Sequence, residues 1–137
     1  MNDADRQKFD NLVEEQVEHL PFAIQLLLQE TPLLVEDRPS DLILKELGLD
    51  ESQADEICGL HSGVALTERS VDDPAGAPET VTIFREGIVA LAKQQGQDDS
   101  SDLWEERVPQ EIRVTILHEI GHHFGLDEED LEKLGFG

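Results

Sequence analysis

Apolar residues in the first part of the chain recur at intervals of three and four, the spacing that places them on one face of a helix. Phe9 and Val13 belong to such a stretch, which predicts an amphipathic helix ending at about His19. Asp3 or Asp5 is suited to cap it, because a short acidic side chain accepts hydrogen bonds from the free N–H groups of a first turn. We therefore expect this helix to pack one face against a core.

Three short elements follow, each bounded by a proline, a glycine or a capping residue. They are a helix from Pro21 to about Gln29, an extended segment over 31–37, and a helical turn over 42–47 that Ser40 or Asp41 caps and Gly48 ends.

The middle of the chain contains the clearest strand. Residues 80–84 alternate in polarity and are rich in β-branched side chains, which predicts a strand. Before it, the glycine, serine and proline punctuation of 59–78 predicts a loop with one strand at 64–66. After it, 88–93 are predicted to be helical and 94–102 to form a polar loop.

The last third carries the longest helical pattern. It begins at Pro109, which is acceptable in a first turn, and presents Ile112, Ile116 and Ile120 on one side. Gly125 ends it, and a short acidic helix over 127–134 follows. Helices combined with a few strands predict an α+β fold, in one domain over residues 1–137.

Composition and charge restrict the function. The 137 residues include 32 acidic and 10 basic ones, for a net charge of -22, which disfavours nucleic acid and anionic membrane surfaces as partners. No apolar stretch approaches the roughly 20 residues of a membrane span. The first residues lack the features of a secretory signal, and Cys58, the single cysteine, suits a reducing compartment as a small buried side chain. We therefore expect a cytoplasmic protein, and a monomer.

The long helix carries the pattern H-E-x-x-H at His118, Glu119 and His122. At 100° per residue the two histidines lie about 40° apart and one turn along, so both imidazoles reach one ion. Glu119 lies beside them, where its carboxylate can hold a metal-bound water instead of the metal. A chain of this composition is expected to contain such a pattern by accident only about 0.02 times. The pattern predicts a zinc site with Glu119 as the base.

A catalytic zinc requires a third protein ligand. Gly125 can adopt a left-handed backbone conformation that turns the chain back, bringing a residue about three positions later to the metal. Glu128 occupies that position. Asp127 and Asp130 remain alternatives, because the geometry of the turn is inferred and each of these acids also suits an exposed acidic helix.

The stretch from His118 to Glu128 resembles the elongated zinc-binding motif H-E-x-x-H-x-x-G-x-x-H/D. Together with 59–60, 63–70, 80–85 and 114–125, it resembles the bacterial zincin-like metallopeptidase family. The resemblance implies a minimal zincin-like fold, with a small twisted mixed sheet packed on helices and the H-E-x-x-H helix near the C-terminus. It also implies that His118 and His122 bind zinc, that Glu119 is the general base, and that position 128 completes the site. The family usually has aspartate there, so Glu128 is a departure that adds one methylene of reach.

The implied reaction is zinc-dependent hydrolysis of a peptide or protein substrate, with one Zn²⁺ per chain. The sequence contains no tyrosine to stabilise the developing oxyanion. His123, His61 and Arg85 are the substrate-side candidates, although packing, an exposed loop and a salt bridge are their respective ordinary roles. An exposed strand edge, at 80–84 or 63–66, is expected to bind an extended substrate.

A second interpretation gives the acidic chain a different role. In it the protein is a catalytically silent module that binds a basic partner, and the metal is only structural. The charge of -22 favours this interpretation, whereas acids scattered over the whole chain are typical of ordinary solubility. A glutamate beside the metal favours the enzyme, because a structural site has no use for a base.

Overall fold

The computed structural model describes residues 1–62, 80–95, 103–125 and 129. Within these ranges the chain forms helices and strands in mixed order. The helices are α1 (Asp3–Glu18), α2 (Phe22–Glu30), α3 (Asp41–Glu46), α4 (Arg85–Gln95) and α5 (Val108–His123). The strands are β1 (Leu33–Glu36), β2 (Gly59–Ser62) and β3 (Thr80–Phe84). A 3-10 helix (Glu51–Glu56) precedes β2, and a π-helical segment (Leu103–Arg107) leads into α5.

The strands form one mixed sheet in the order β1-β3-β2. β3 pairs parallel with β1 and antiparallel with β2, so that Val81 lies opposite both Leu33 and His61. Val81, Ile83 and Phe84 are fully buried, because a central strand has packed elements on both faces. The expected α+β class and the small mixed sheet are confirmed. The expectation that β3 offers an exposed edge is wrong, since strands pair with it on both sides.

Helix α5 lies at the centre of the packing. It contacts α1, α4, β2 and β3, and its isoleucines are fully buried there. The core around it is built from buried apolar residues of α1, α2, α4, β3, α5 itself and the adjoining segments: Phe9, Val13, Leu20, Ile24, Val81, Ile83, Ile88, Val89, Ala92, Leu103, Val108, Ile112, Ile116, Leu117 and Ile120. No helix in the described part of the chain has the length and apolar character needed to cross a bilayer.

The helix ends follow their local sequence, with one exception at α1. Asn2 caps α1, accepting a hydrogen bond from the backbone N–H of Asp5 at 2.7 Å. The prediction of Asp3 or Asp5 as the cap is therefore wrong, because both acids lie inside the first turn, where they interact favourably with the helix dipole. Ser40 caps α3 as predicted, and Gly48 beyond that helix has a φ of 73°. A left-handed residue at this place is the usual reason for a helix-ending glycine.

Three elements were not predicted at their observed places. The region expected to begin as a loop at Gly59 begins as strand β2 instead, while the strand predicted at 64–66 lies outside the described residues. The 3-10 helix is held by a capping box between Asp50 and Gln53. Arg107 has a helical backbone, so α5 has no side-chain cap and continues back into the π-helical segment. The predicted acidic helix over 127–134 lies outside the described residues, apart from Glu129.

A cluster of four charged residues, the ion-pair clasp, joins α1 to the sheet. It consists of Arg6 and Asp10 of α1, Asp37 after β1 and Arg85 after β3. Because β1 and β3 are parallel and Glu36 lies opposite Phe84, the residues that follow them are neighbours. Arg6 and Arg85 donate to Asp37 at 2.8 and 2.9 Å, and Arg85 also donates to Asp10 at 3.0 Å. Hydrogen bonds from Arg6 and Arg85 hold the pKa of the Asp37 carboxyl below its ordinary value.

Candidate metal centre

Helix α5 positions the candidate ligands because its two sides differ. Ile112, Ile116 and Ile120 recur at intervals of four and are fully buried, which fixes the rotation of the helix about its axis. His118 and His122 fall on the other side and are exposed. The buried side is an apolar anchor, and it holds the polar side at a fixed orientation toward solvent.

The two histidines, which we call the histidine pair, stand side by side on this surface. The centroids of their rings are 6.4 Å apart, and the ring planes are within 8° of parallel. Neutral imidazole is a preferred ligand of zinc, and catalytic zinc sites leave one position open to solvent. Two exposed imidazoles one turn apart therefore fit two of the three protein ligands that a catalytic zinc needs.

Glu119 lies between the histidines in sequence but is directed toward the sheet. Its side chain is half-buried, and its Cγ lies so close to Gly59 of β2 that a Cβ built on Gly59 would be 2.9 Å away. The same Cβ would lie 2.8 Å from the Thr115 Cγ2. The candidate base is therefore packed against the edge strand. Sequence reasoning missed this role of Gly59, although a glycine in a strand is a known sign of close backbone approach.

Cys58 precedes this strand and is half-buried near the same helix. Burial raises the pKa of its thiol to about 11, and the negative charges of Glu111 and Glu119 add to the effect. A thiol with so high a pKa is almost entirely protonated at neutral pH, and only the thiolate is a strong nucleophile or metal ligand. Cys58 is therefore a packing residue, as its lack of basic neighbours in the sequence predicts.

The helix ends as its sequence predicts. Gly125 has a φ of 71°, and its N–H donates to the carbonyl of His122 at 3.2 Å. The candidates for the third ligand, Glu128 with its alternatives Asp127 and Asp130, lie outside the described residues. Within residues 1–62, 80–95, 103–125 and 129, no group of three or more His, Cys, Asp or Glu side chains could hold a metal ion. The third ligand stays a prediction.

The three substrate-side candidates have different outcomes. The guanidinium of Arg85 belongs to the ion-pair clasp, where all three of its nitrogens donate to Asp10 or Asp37. Arg85 therefore has the ordinary role expected for it, that of a salt-bridge partner. His61 is a residue of β2 and His123 is the last residue of α5, and the side chains of both lie outside what the structure describes.

Comparison with known proteins places the chain in a family. The model of the zincin-like metallopeptidase family matches residues 28–137, which is well over half of the chain. The protein therefore belongs to the zincin-like metallopeptidase family, and the resemblance seen in the sequence is confirmed. No curated protein matches the chain. Membership agrees with the α+β fold described above and indicates a zinc-dependent hydrolase that acts on peptides. Residues 1–27, which contain α1, lie outside the matched range.

Proposed function

We propose that the protein is a zinc-dependent metallopeptidase in which His118 and His122 bind the metal and Glu119 is the general base. The observation that supports this proposal best is the histidine pair, exposed on one side of α5, with Glu119 next to His118 in the same helix. We assign the third ligand to Glu128, with Asp127 and Asp130 as alternatives. The protein is proposed to hold one Zn²⁺ per chain and to act as a cytoplasmic monomer.

The proposed chemistry divides between the metal and the chain. Zinc, when bound, acidifies water and polarises the carbonyl of the bond to be cleaved. Glu119 accepts the proton of the attacking water and then delivers it to the leaving amine, as a base and acid in turn. Since Arg85 is held in the ion-pair clasp, His61 and His123 are the remaining candidates for stabilising the developing oxyanion.

The sheet suggests where an extended substrate binds. Among the described strands, β2 pairs only with β3, which leaves its other side available for another strand. Gly59 of this strand contacts the proposed base. We propose that a peptide adds to the outer side of β2, because backbone hydrogen bonding to a sheet edge holds an extended chain without requiring a particular sequence. Of the two edges expected from the sequence, 63–66 lies outside the described residues and 80–84 is the central strand, so β2 takes their place in this proposal.

One experiment tests the base and the metal together. Purified wild-type protein, Glu119→Gln and the matched control Glu111→Gln are analysed for zinc and incubated with a peptide library. Glu111 lies two turns upstream on α5, so its variant makes the same change of charge on the same helix. We expect about one zinc in all three proteins, and cleavage that is lost by about 10²–10⁴-fold only in Glu119→Gln. Cleavage by Glu119→Gln at the wild-type rate would refute the assigned mechanism.

The same measurements address the second function, an acidic binding module with a structural metal. The charge of -22 favours it. Zinc without cleavage of any library member, together with capture of a basic protein, would support the module over the enzyme. A protein that cannot be loaded with zinc would refute the metal site in both functions.

A further inference from the structure

Backbone atoms of residues 57–59 lie so close to helices α4 and α5 that neither Gly87 nor Gly59 has room for a side chain. On the α4 side, a Cβ built on Gly87 would collide with the carbonyl oxygen of Ile57. On the α5 side, a Cβ on Gly59 would meet Thr115 and Glu119. The N–H of Phe84 donates to the carbonyl of Cys58 at 2.8 Å, which ties the segment to the central strand. The position of Gly59 is therefore set by its surroundings.

Gly59 is required for space and not for its backbone conformation. The glycines with positive φ in the described part of the chain are Gly48 and Gly125, and Gly59 is not among them. Its backbone is that of a strand paired with Ile83, which any residue can adopt. Since alanine would suit this backbone, what selects glycine is the neighbouring Cγ of Glu119 and the methyl group of Thr115.

We infer that Gly59 is a positioning residue for Glu119: the missing side chain leaves the space in which the stem of the glutamate lies. This inference rests on the proposed function of Glu119 as the base. A Cβ at position 59 would be 2.9 Å from the Glu119 Cγ, closer than real Cβ atoms approach a neighbour, so the stem of the glutamate has to shift or change its rotamer. A displacement of a catalytic group by about 1 Å can lower a rate by about 100-fold.

Thr115 provides a way to separate positioning from packing. A Cβ at position 59 has two neighbours closer than 3.0 Å, the Thr115 Cγ2 at 2.8 Å and the Glu119 Cγ at 2.9 Å, while the carbonyl oxygen of Thr82 lies at 3.3 Å. Thr115→Ser removes the first neighbour and leaves the second. If Gly59 serves packing alone, adding Thr115→Ser to the Gly59→Ala protein restores stability and activity together. If Gly59 positions Glu119, the same addition restores stability but leaves the glutamate displaced, so activity does not return.

The experiment compares wild type, Gly59→Ala, Thr115→Ser and the double variant, all loaded with zinc. For each protein we would measure the melting temperature, zinc content, kcat and KM on a peptide found with the library, and the Kd of acetohydroxamic acid. A hydroxamic acid chelates zinc and donates a hydrogen bond to a nearby carboxylate, so its affinity reports the place of Glu119 without turnover. A crystal structure of the double variant gives the position of the glutamate directly.

We expect Gly59→Ala to bind zinc normally, to lose about 10–100-fold in kcat with little change in KM, and to bind acetohydroxamic acid about 10-fold more weakly. Thr115→Ser alone should retain kcat. The double variant should regain melting temperature but neither kcat nor acetohydroxamic acid affinity. If Gly59→Ala does not fold, the double variant is compared with Thr115→Ser instead, and the same loss of kcat and of acetohydroxamic acid affinity is expected.

Wild-type kcat and acetohydroxamic acid affinity in the double variant would overturn the inference, as would a crystal structure with Glu119 unmoved. Such a result leaves the proposed function intact if Glu119→Gln is still inactive. If no peptide is cleaved by the wild type, the proposed function fails, and the crystal structure and acetohydroxamic acid affinity still decide whether Gly59 sets the place of Glu119.

Discussion

The ion-pair clasp and the histidine pair are both polar, but they differ in the charges of their members and in how far apart these members lie in the chain. In the clasp each cation contacts an anion at 2.8–3.0 Å, and the partners come from segments 31 to 75 residues apart in the chain. In the histidine pair two bases of the same kind stand side by side, one turn apart on one helix and exposed to solvent. The clasp therefore combines opposite charges within the chain, whereas the histidine pair places two like side chains on an exposed helix surface.

This difference is the one expected between groups that stabilise a fold and groups that are proposed to bind a metal. Opposite charges that join distant segments stabilise the folded chain, because each would lose its partner on unfolding. Two exposed imidazoles on one helix gain little from folding, since they are neighbours whenever the helix is formed. Substitutions in the two clusters should therefore affect different measurements.

The largest effect is expected for the histidine pair. His118→Ala or His122→Ala removes a proposed metal ligand, so zinc binding should weaken by more than the ~10–100-fold that loss of a hydrogen-bond partner behind a ligand costs. The free energy of unfolding of the metal-free protein should change by no more than about 0.5 kcal/mol, because the side chains are exposed. Zinc titration and urea unfolding measure the two quantities. His19→Ala, another exposed histidine on a helix end, is the control and should change neither.

A smaller effect, on stability alone, is expected for the clasp. Asp37→Ala removes the acceptor that Arg6 and Arg85 share, and Arg85 is only 13% exposed. The free energy of unfolding should fall by about 2 kcal/mol, because charge-assisted hydrogen bonds are lost and a guanidinium keeps fewer partners. Arg38→Ala is the control: its side chain is 56% exposed in a pair with Glu86, so about 0.5 kcal/mol is expected. Equal losses of unfolding free energy in the two variants, or a loss of zinc binding in Asp37→Ala, would contradict the distinction between the two clusters.

The stabilisation from Asp37 should also depend on pH. Its pKa is lower in the folded chain than in the unfolded chain, because Arg6 and Arg85 donate to the carboxylate. A lowered folded pKa gives stability that is complete above the unfolded pKa of about 4 and is lost as the pH falls through the folded pKa. The difference in unfolding free energy between wild type and Asp37→Asn should therefore be constant from pH 5 to 7 and shrink below about pH 4. A difference that grows in acid would contradict the assignment.

The smallest effect concerns Cys58, whose thiol lies near the proposed base. With a pKa of about 11, only about 0.01% of the thiol is thiolate at pH 7. Alkylation of the native protein by iodoacetamide should be slow and should rise about tenfold per pH unit up to pH 10. The urea-unfolded protein is the control, and its rate should level off near pH 9. A plateau below pH 9 in the native protein would show that the thiol is not held protonated.

Several parts of the fold follow from neighbours in the sequence. Periodic isoleucines define α5 and the side of it that carries His118 and His122, and the alternating pattern of 80–84 defines β3. The helix ends at Ser40 and Gly125 depend on one capping or left-handed residue. Each of these features is set by contacts within about four positions, so a linear pattern contains the information.

The remaining features depend on segments that are distant in the chain. Nothing local predicts that Arg85 joins Asp10 and Asp37, that β2 begins at Gly59, or that β3 is central in the sheet. By itself the sequence determined the helix on which the metal site is proposed and the place of the proposed base on it, and it indicated the family that the comparison confirms. Only the tertiary structure decided which strand that base packs against, because the close approach of Gly59 to Glu119 joins residues that are brought together by burial of the core between them.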